Sequence, residues 1–371
     1  MFKNINCKNL PSLRRNIVYQ FLYELLIVFI PLFTIPYVSR VLGAENIGLF
    51  SYTYAVANYF VLFANLGIKN YGSRTIAMVR NNKEELNRNF SEILSIHIIF
   101  SIIVIFVYLV LLFFFVEDNL VIFLIQSIYV FAAVFDINWF FFGIEKFKLT
   151  VGRNTLVKIL SVFLVLVFVK TQTDLWIYAL ILALSVFVGQ SVVWFALKQY
   201  VSWRRPSWAN MKQHIRPLFV LFLPILALSL YKYMDKIMLG SISSNVQVGF
   251  YENAEKIINV PMSLIMAFGV VLMPRIANMV TSKDKGEVFK LIDMSMEAVM
   301  LLAIAISFGL AGISFVLAPI FFGYEFEECG ILIMGLAVTV PFMAFANVIR
   351  TQYLIPYKED KIFVVSLFLG A

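Results

Sequence analysis

Long, uninterrupted apolar runs limit this sequence more than any other feature it has. Reading along the chain, they fall at about 17–38, 47–68, 90–116, 120–143, 149–169, 175–197, 218–239, 248–273, 291–317 and 330–348. Each is long enough, at about 1.5 Å per residue, to cross about 30 Å of hydrocarbon as a helix. Alternation with a strand period is absent, which excludes a transmembrane barrel. Of the 371 residues 61% are hydrophobic and only 14% charged, whereas soluble domains run at about 45–50% and about 25%. A soluble enzyme, a secreted disulfide scaffold and a disordered chain are therefore excluded, and the expected fold is an all-α polytopic membrane protein.

The net charge of +8 serves as a test of the ten spans. Lys and Arg concentrate in cytoplasmic connections. Counting the N-terminal segment with the even-numbered loops, 24 of the 30 basic residues lie on one side, and the odd-numbered loops hold only Arg40, Lys170 and Lys236. A missed or invented span would scramble that alternation. It places the N-terminus in the cytoplasm and explains the basic excess without nucleic acid. From outside, an impermeant thiol reagent is expected to reach Cys329, if that thiol is exposed, and never Cys7.

Sliding the sequence by 201 residues lays the second span on the eighth without gaps. Gly48 meets Gly249, Asn58 meets Asn259, Arg74 meets Arg275, and Met78-Val79 meets Met279-Val280. Glu92 and Asp293 then fall in register at the start of the following spans. An offset of six spans keeps both halves in one orientation, so the expected architecture is two six-helix lobes related by a pseudo-twofold along the membrane normal. The expected domains are residues 1–200, an interlobe linker at 201–216, and a second lobe at 217–371. This lobe reads as incomplete: the whole chain has ten full spans and only the start of an eleventh at Ile362.

Ionisable residues at membrane depth are costly and usually face a bundle interior or a wet cavity. Here they are Glu24, Asp136, Lys158, Lys232, Asp235, Lys236, Glu252, Glu255 and Lys256. Asp235 and Lys236 also fit an ordinary helix end, and Glu252 with Lys256 fits an i,i+4 pair. Glu24 and Lys158 lie deeper, each without an evident local partner, and are expected to line a cavity. Arg74 and Arg275 are either interface anchors or a pair of guanidiniums flanking an inner mouth, with forks suited to a diphosphate. Both are expected to lie at helix C-termini. His97 and His214 have no companions at ligand spacing, so no metal site and no cofactor is expected. The runs Trp139–Phe142 and Phe113–Phe115 are expected to pack as lipid-facing or interfacial aromatics.

Several segments carry a resemblance: SRVLGAENIGLFSY from Ser39, DKIMLG and VGFYENAEKI from Asp235 onward, MPRI from Met273, FFGIEKFK from Phe141, and QYLIPYKEDKIFVVSLFLGA from Gln352. Along its whole length the chain resembles the Wzx-like oligosaccharide flippases of the multidrug/oligosaccharidyl-lipid/polysaccharide exporter superfamily. The resemblance implies two lobes around a central cavity in a bacterial cytoplasmic membrane. It also implies that an undecaprenyl-diphosphate-linked oligosaccharide passes from the inner to the outer leaflet by alternating access, with a polysaccharide polymerase and other assembly proteins as further partners. Arg74 and Arg275 match cavity-flanking basic positions of that family, and Asp235 matches its acidic residue near the outer end of span seven. The substrate-facing set is then Arg74, Arg275, Lys158, Glu24, Asp235, Lys236, Glu255 and Lys256. Alternatives within the superfamily are a cation-coupled multidrug exporter and a cell-wall lipid-precursor flippase. A membrane enzyme is disfavoured, because loops of about 20 residues leave no room for a catalytic domain. A non-transporting scaffold of an assembly complex is the remaining reading.

Overall fold

The computed structural model describes the backbone of residues 10–282 and 285–357, with scattered positions beyond, and side chains from residue 32 onward apart from a minority of positions. Twelve α-helices make up the described chain: α1 (Leu10–Asn65), α2 (Ile68–Val79), α3 (Lys83–Phe115), α4 (Leu120–Val134), α5 (Asn138–Gly143), α6 (Phe147–Phe168), α7 (Leu175–Leu197), α8 (Trp208–Ile242), α9 (Asn245–Ser282), α10 (Lys285–Phe322), α11 (Cys329–Ala337) and α12 (Thr339–Val348). All ten expected spans fall on these helices. Among the described residues, eight helices are long and apolar enough to cross a membrane.

Local chemistry sets the boundaries. α1 would run for 56 residues, but Gly43 interrupts it with φ 76° and ψ 170°, a conformation closed to residues that carry a Cβ. α1 gives way to α2 at Leu66 and Gly67, both at positive φ. α3 starts at Asn82, whose side chain accepts from the backbone N–H groups of Glu84 and Glu85 while those two acids sit at the positive end of the helix dipole. The break between α4 and α5 lies at membrane depth, where exposed backbone must find protein partners. Trp194 Nε1 donates to the freed Phe135 carbonyl at 2.9 Å, and Asp136 accepts from Asn138 N at 3.0 Å.

The chain divides into two compact units, one comprising Met1–Thr34 with Thr53–Ser229 and the other Ile35–Tyr52 with Leu230–Ala371. The division runs through the interiors of α1 and α8. In the first unit, Phe90, Ile93, Ile76, Trp139, Phe140 and Phe141 form the centre of a buried core. The two aromatic runs thus part ways. Phe113, Phe114 and Phe115 are exposed as a lipid-facing belt would be, but Trp139, Phe140 and Phe141 are buried and are not lipid-facing. They turn inward because α5 is a short helix packed on α2, where Gly72 and Gly143 let the two approach closely. A Cβ on Gly72 would lie 2.5 Å from the Trp139 ring, and one on Gly143 would lie 2.6 Å from Ile76.

In the second unit, residues 35–52 of α1 cross α9 backbone to backbone. A Cβ built on Gly48 would stand 1.6 Å from the Asn245 carbonyl oxygen, and one on Gly249 would stand 2.1 Å from that of Ala44. Nearby, Asn253 Nδ2 donates to Ser39 Oγ at 2.9 Å, and the Tyr52 ring fills the space where Gly240 lacks a Cβ. The turn around Gly43 is tied down from α10 onward: Arg40 donates to the Ile320 carbonyl at 2.5 Å, and Glu325 accepts from Ala44 N at 2.9 Å. Buried near this crossing, Cys329 donates its thiol to the Phe250 carbonyl at 3.1 Å. A thiol reagent therefore cannot report topology through Cys329, and Cys7 lies outside the described residues.

Two outcomes follow. Asp118→Cys, in the exposed turn between α3 and α4, is expected to react with an impermeant maleimide added to intact cells, and Lys83→Cys only after permeabilisation. Gly72→Val drives a branched side chain into the Trp139 ring, and overpacking of this kind costs about 1–3 kcal/mol; a thermal unfolding midpoint equal to that of the parent would show that α2 and α5 are not in close contact.

Candidate functional site

Charge gathers most densely where α8 turns into α9. The turn at 243–244 makes the helices antiparallel neighbours, so residues about 10 Å from it on each side face one another. Lys236 Nζ lies 2.5 Å from Glu252 Oε2 and 2.8 Å from Glu255 Oε2, and Lys256 Nζ lies 3.0 Å from Glu252 Oε1. Tyr251 OH donates to Asp235 Oδ2 at 2.6 Å. The side chains of Lys236 and Glu252 are only 12% and 14% exposed. Two ammoniums and two carboxylates cancel, which is how four charges can be held at this depth; unpaired, each would carry a large desolvation penalty. Asp235 and the outer edges of Glu255 and Lys256 stay accessible. Together they present acceptors and donors at one place, suited to hydroxyl-rich or charged ligands.

Four of the eight substrate-facing residues named from sequence are thus brought together: Asp235, Lys236, Glu255 and Lys256. Lys236 is not a snorkelling helix end, since it bonds two carboxylates across the hairpin. The i,i+4 pair of Glu252 and Lys256 is present, but Glu252, left out of the set, is the hub. Its spacing from Lys256 was visible in the sequence; its register against Lys236 depends on the turn, which hydropathy does not read.

The other four stand apart. Lys158 is partly buried on α6 and engaged with neighbours, so it is not a lone charge. The side chains of Glu24 and Arg275 lie outside the described residues. Arg74 is exposed. Neither arginine lies at a helix C-terminus: the break at Gly67 places Arg74 in the middle of α2, and α9 runs on to Ser282 beyond Arg275. α2 is amphipathic, burying Ile68, Gly72, Thr75 and Ile76 while Lys69, Asn70, Arg74 and Met78 face outward.

Sequence reasoning also missed a buried chain of polar groups in the first unit. Tyr71 OH meets His214 Nδ1 at 2.6 Å, and His214 Nε2 meets Glu92 Oε2 at 2.9 Å, joining α2, α8 and α3. The repeat register is no guide here, because Glu92 is 1% exposed while Asp293 is open to the surroundings. Among the described residues no three His, Cys, Asp or Glu side chains could hold a metal ion. Elsewhere in the second unit, a cavity of about 580 Å³ opens beside Arg40; its lining is otherwise largely apolar, including Phe315, Val316 and Ile320, and it does not include the charged network.

A helical bundle with several membrane-spanning segments and a neutralised cluster of charge at membrane depth defines a multi-pass membrane protein of the transporter kind. Its fold is that of a solved lipid II flippase, MurJ in an inward closed conformation, with a TM-score of 0.72 at 13% identity over 95% of this chain and 78% of that one. The chain belongs to the family described as "Polysaccharide biosynthesis protein", whose model matches residues 13–280. It is 26% identical over 362 residues to a protein of Escherichia coli (strain K12) named "Putative O-antigen transporter", covering 96% of this chain and 86% of that protein. A protein of Shigella dysenteriae with the same name is 24% identical over 374 residues, covering 97% and 90%. All three names are those of transporters, not of enzymes.

Removing the hub's cation tests the network. Lys236→Ala leaves Glu252 and Glu255 facing one another, and breaking a buried pair in this way costs about 3–5 kcal/mol. The double variant Lys236→Met with Glu255→Gln, which removes the orphaned charge, is expected to recover much of that loss in a detergent unfolding series; equal losses in the two would show that the charges are solvated.

Proposed function

We propose that this chain moves a lipid-linked oligosaccharide of the O-antigen type from the cytoplasmic to the outer leaflet of a bacterial inner membrane, with its N-terminus in the cytoplasm. The observation that carries this reading is the similarity to O-antigen transporters over nearly the whole chain, joined to a flippase fold. The physical problem fits the molecule. A sugar-diphosphate head group cannot cross about 30 Å of hydrocarbon unaided, whereas a protein-lined path can carry it while the lipid tail stays in the bilayer. Arg74 and Arg275 meet the diphosphate in this reading. Asp235, Lys236, Glu255 and Lys256 offer hydrogen bonds to the sugar nearer the outer face, and Glu24 and Lys158 line the path between. A polymerase and other assembly proteins would receive the product.

Two six-span repeats, residues 1–200 and 217–371 joined by 201–216 and related by a pseudo-twofold, give such a path alternating access. Support comes from contacts that occur in pairs. Gly48 meets Asn245 while Gly249 meets Ala44, and Ser39 meets Asn253 while Gly240 meets Tyr52. In both cases an offset of 201 residues exchanges the two members of the pair. That reciprocity is what an isologous contact near a twofold axis produces.

In a strain lacking its own O-antigen transporter, Arg74→Ala combined with Arg275→Ala is expected to abolish surface polysaccharide while the protein still inserts at parental levels. Normal surface polymer from that double variant would remove the arginines from the diphosphate role.

A further inference from the structure

Between Asp174 and Asp235 the sequence holds no acidic residue, yet Lys198, Arg204, Arg205, Lys212, Arg216 and Lys232 all fall there. The densest part of this stretch is 201–208, where two arginines and a proline stand between Trp203 and Trp208. It joins the end of α7 at Leu197 to the start of α8 at Trp208. Both helices are long and apolar enough to cross a membrane, so the connection lies at the membrane surface.

The fold holds this segment in place. Ser202 N donates to Asn87 Oδ1 at 3.0 Å, and Arg204 N donates to Ser91 Oγ at 2.9 Å. Both acceptors are buried on α3. On either side, Val201 and Met211 are buried in the core of the first unit. A backbone fixed at these points turns the side chains between them outward: Trp203 is 55% exposed, Trp208 is 60% exposed, and Arg205 is exposed as well. Among the described residues neither indole has a hydrogen bond or a ring partner, and Arg205 has no ion pair. Arg204 meets Glu84 at 3.2 Å, but both side chains are largely open, and an exposed pair of this kind does not keep the guanidinium from another anion. The other charged groups at this end of α3 are Lys83, Glu85 and Arg88, and Lys198 and Lys212 flank the segment. Cations therefore outnumber carboxylates around it.

Packing does not account for two large rings held away from the protein. At a bilayer surface an indole lies at the head-group level, with its ring against the acyl chains and its N–H on lipid oxygens. Guanidinium forks suit phosphate, and basic segments beside membrane spans are drawn to anionic lipid. An acidic soluble protein could meet the arginines, but it gives no reason for two tryptophans at the ends of two spans.

We propose that residues 201–208 form a docking surface for anionic phospholipid, with Arg204 and Arg205 on the phosphates of phosphatidylglycerol and Trp203 and Trp208 level with its glycerol esters. The segment thereby fixes the start of α8 at the membrane surface. Only the leaflet, the inner one, rests on the orientation proposed above; lipid binding depends neither on it nor on transport.

The test uses the full chain in nanodiscs of phosphatidylethanolamine with a minor fraction of either phosphatidylglycerol or phosphatidylcholine, brominated on the acyl chains near the glycerol. Both leaflets carry the same lipid, so orientation does not enter. Subtracting the double variant Trp203→Phe with Trp208→Phe isolates the fluorescence of these two rings. Brominated phosphatidylglycerol is expected to quench it several-fold more efficiently than brominated phosphatidylcholine, and the difference is expected to shrink as salt rises to about 1 M. Arg204→Gln with Arg205→Gln is expected to lose that preference, about fivefold for each arginine, while phosphatidylcholine still quenches to the parental degree, which separates lost anion recognition from a lost fold. Arg204→Lys with Arg205→Lys is expected to keep the preference. Quenching by neither lipid, as a surface for an acidic protein would give, overturns the proposal. Equal quenching by both, or a preference that survives removal of both arginines, overturns it too. A chain that shows the preference but moves no sugar in proteoliposomes overturns the transport reading and leaves the lipid surface standing.

Discussion

A membrane interior offers no water to a polar group, and that one constraint governs both units of this protein. Each charge or freed carbonyl at depth must find its partner within the protein. The break between α4 and α5 survives because Trp194 takes the Phe135 carbonyl and Asp136 takes the Asn138 amide. The turn after α8 can carry two lysines and two glutamates inward because they neutralise one another. Tyr71, His214 and Glu92 close a third set, which ties three helices of the first unit together. Against that background, His97 is notable as a buried ring without a hydrogen-bond partner among the described residues.

Much of the architecture could be read in advance, since hydrophobic length and loop charge are properties of single segments. Ten apolar runs became helix, and Gly48 with Gly249, matched by sliding the sequence on itself, proved to lie against each other's backbones. The errors came where the outcome depended on two segments at once. Arg74 looked like a helix end because hydropathy does not register the break at Gly67, after which a new helix begins. Trp139 and its neighbours looked lipid-facing because an apolar run reads the same whether it faces lipid or protein; Gly72 decided the matter by letting α2 approach.

The candidate site was legible to a similar degree. The charged residues at membrane depth could be named from the sequence, but not their grouping. Four of the eight residues chosen meet at the α8–α9 hairpin, and the hub, Glu252, is not among the eight although its i,i+4 partner Lys256 is. Register across a hairpin decides which charges meet, and it is set by where the turn falls rather than by the composition of either helix. His97 carried no sequence signal at all, because a lone histidine between isoleucines shows its character only once its neighbours are known.

The neutrality of the hairpin network bears on energy supply. Across a bilayer, an elementary charge that traverses the whole potential exchanges about 2.3 kcal/mol per 100 mV. Lys236, Lys256, Glu252 and Glu255 together carry no net charge, so a shift of the α8–α9 hairpin along the membrane normal does almost no electrical work through them. Whatever voltage dependence this protein shows must therefore enter by another route, through the cargo or through ions that load and unload during the cycle. The hairpin itself is electrically silent.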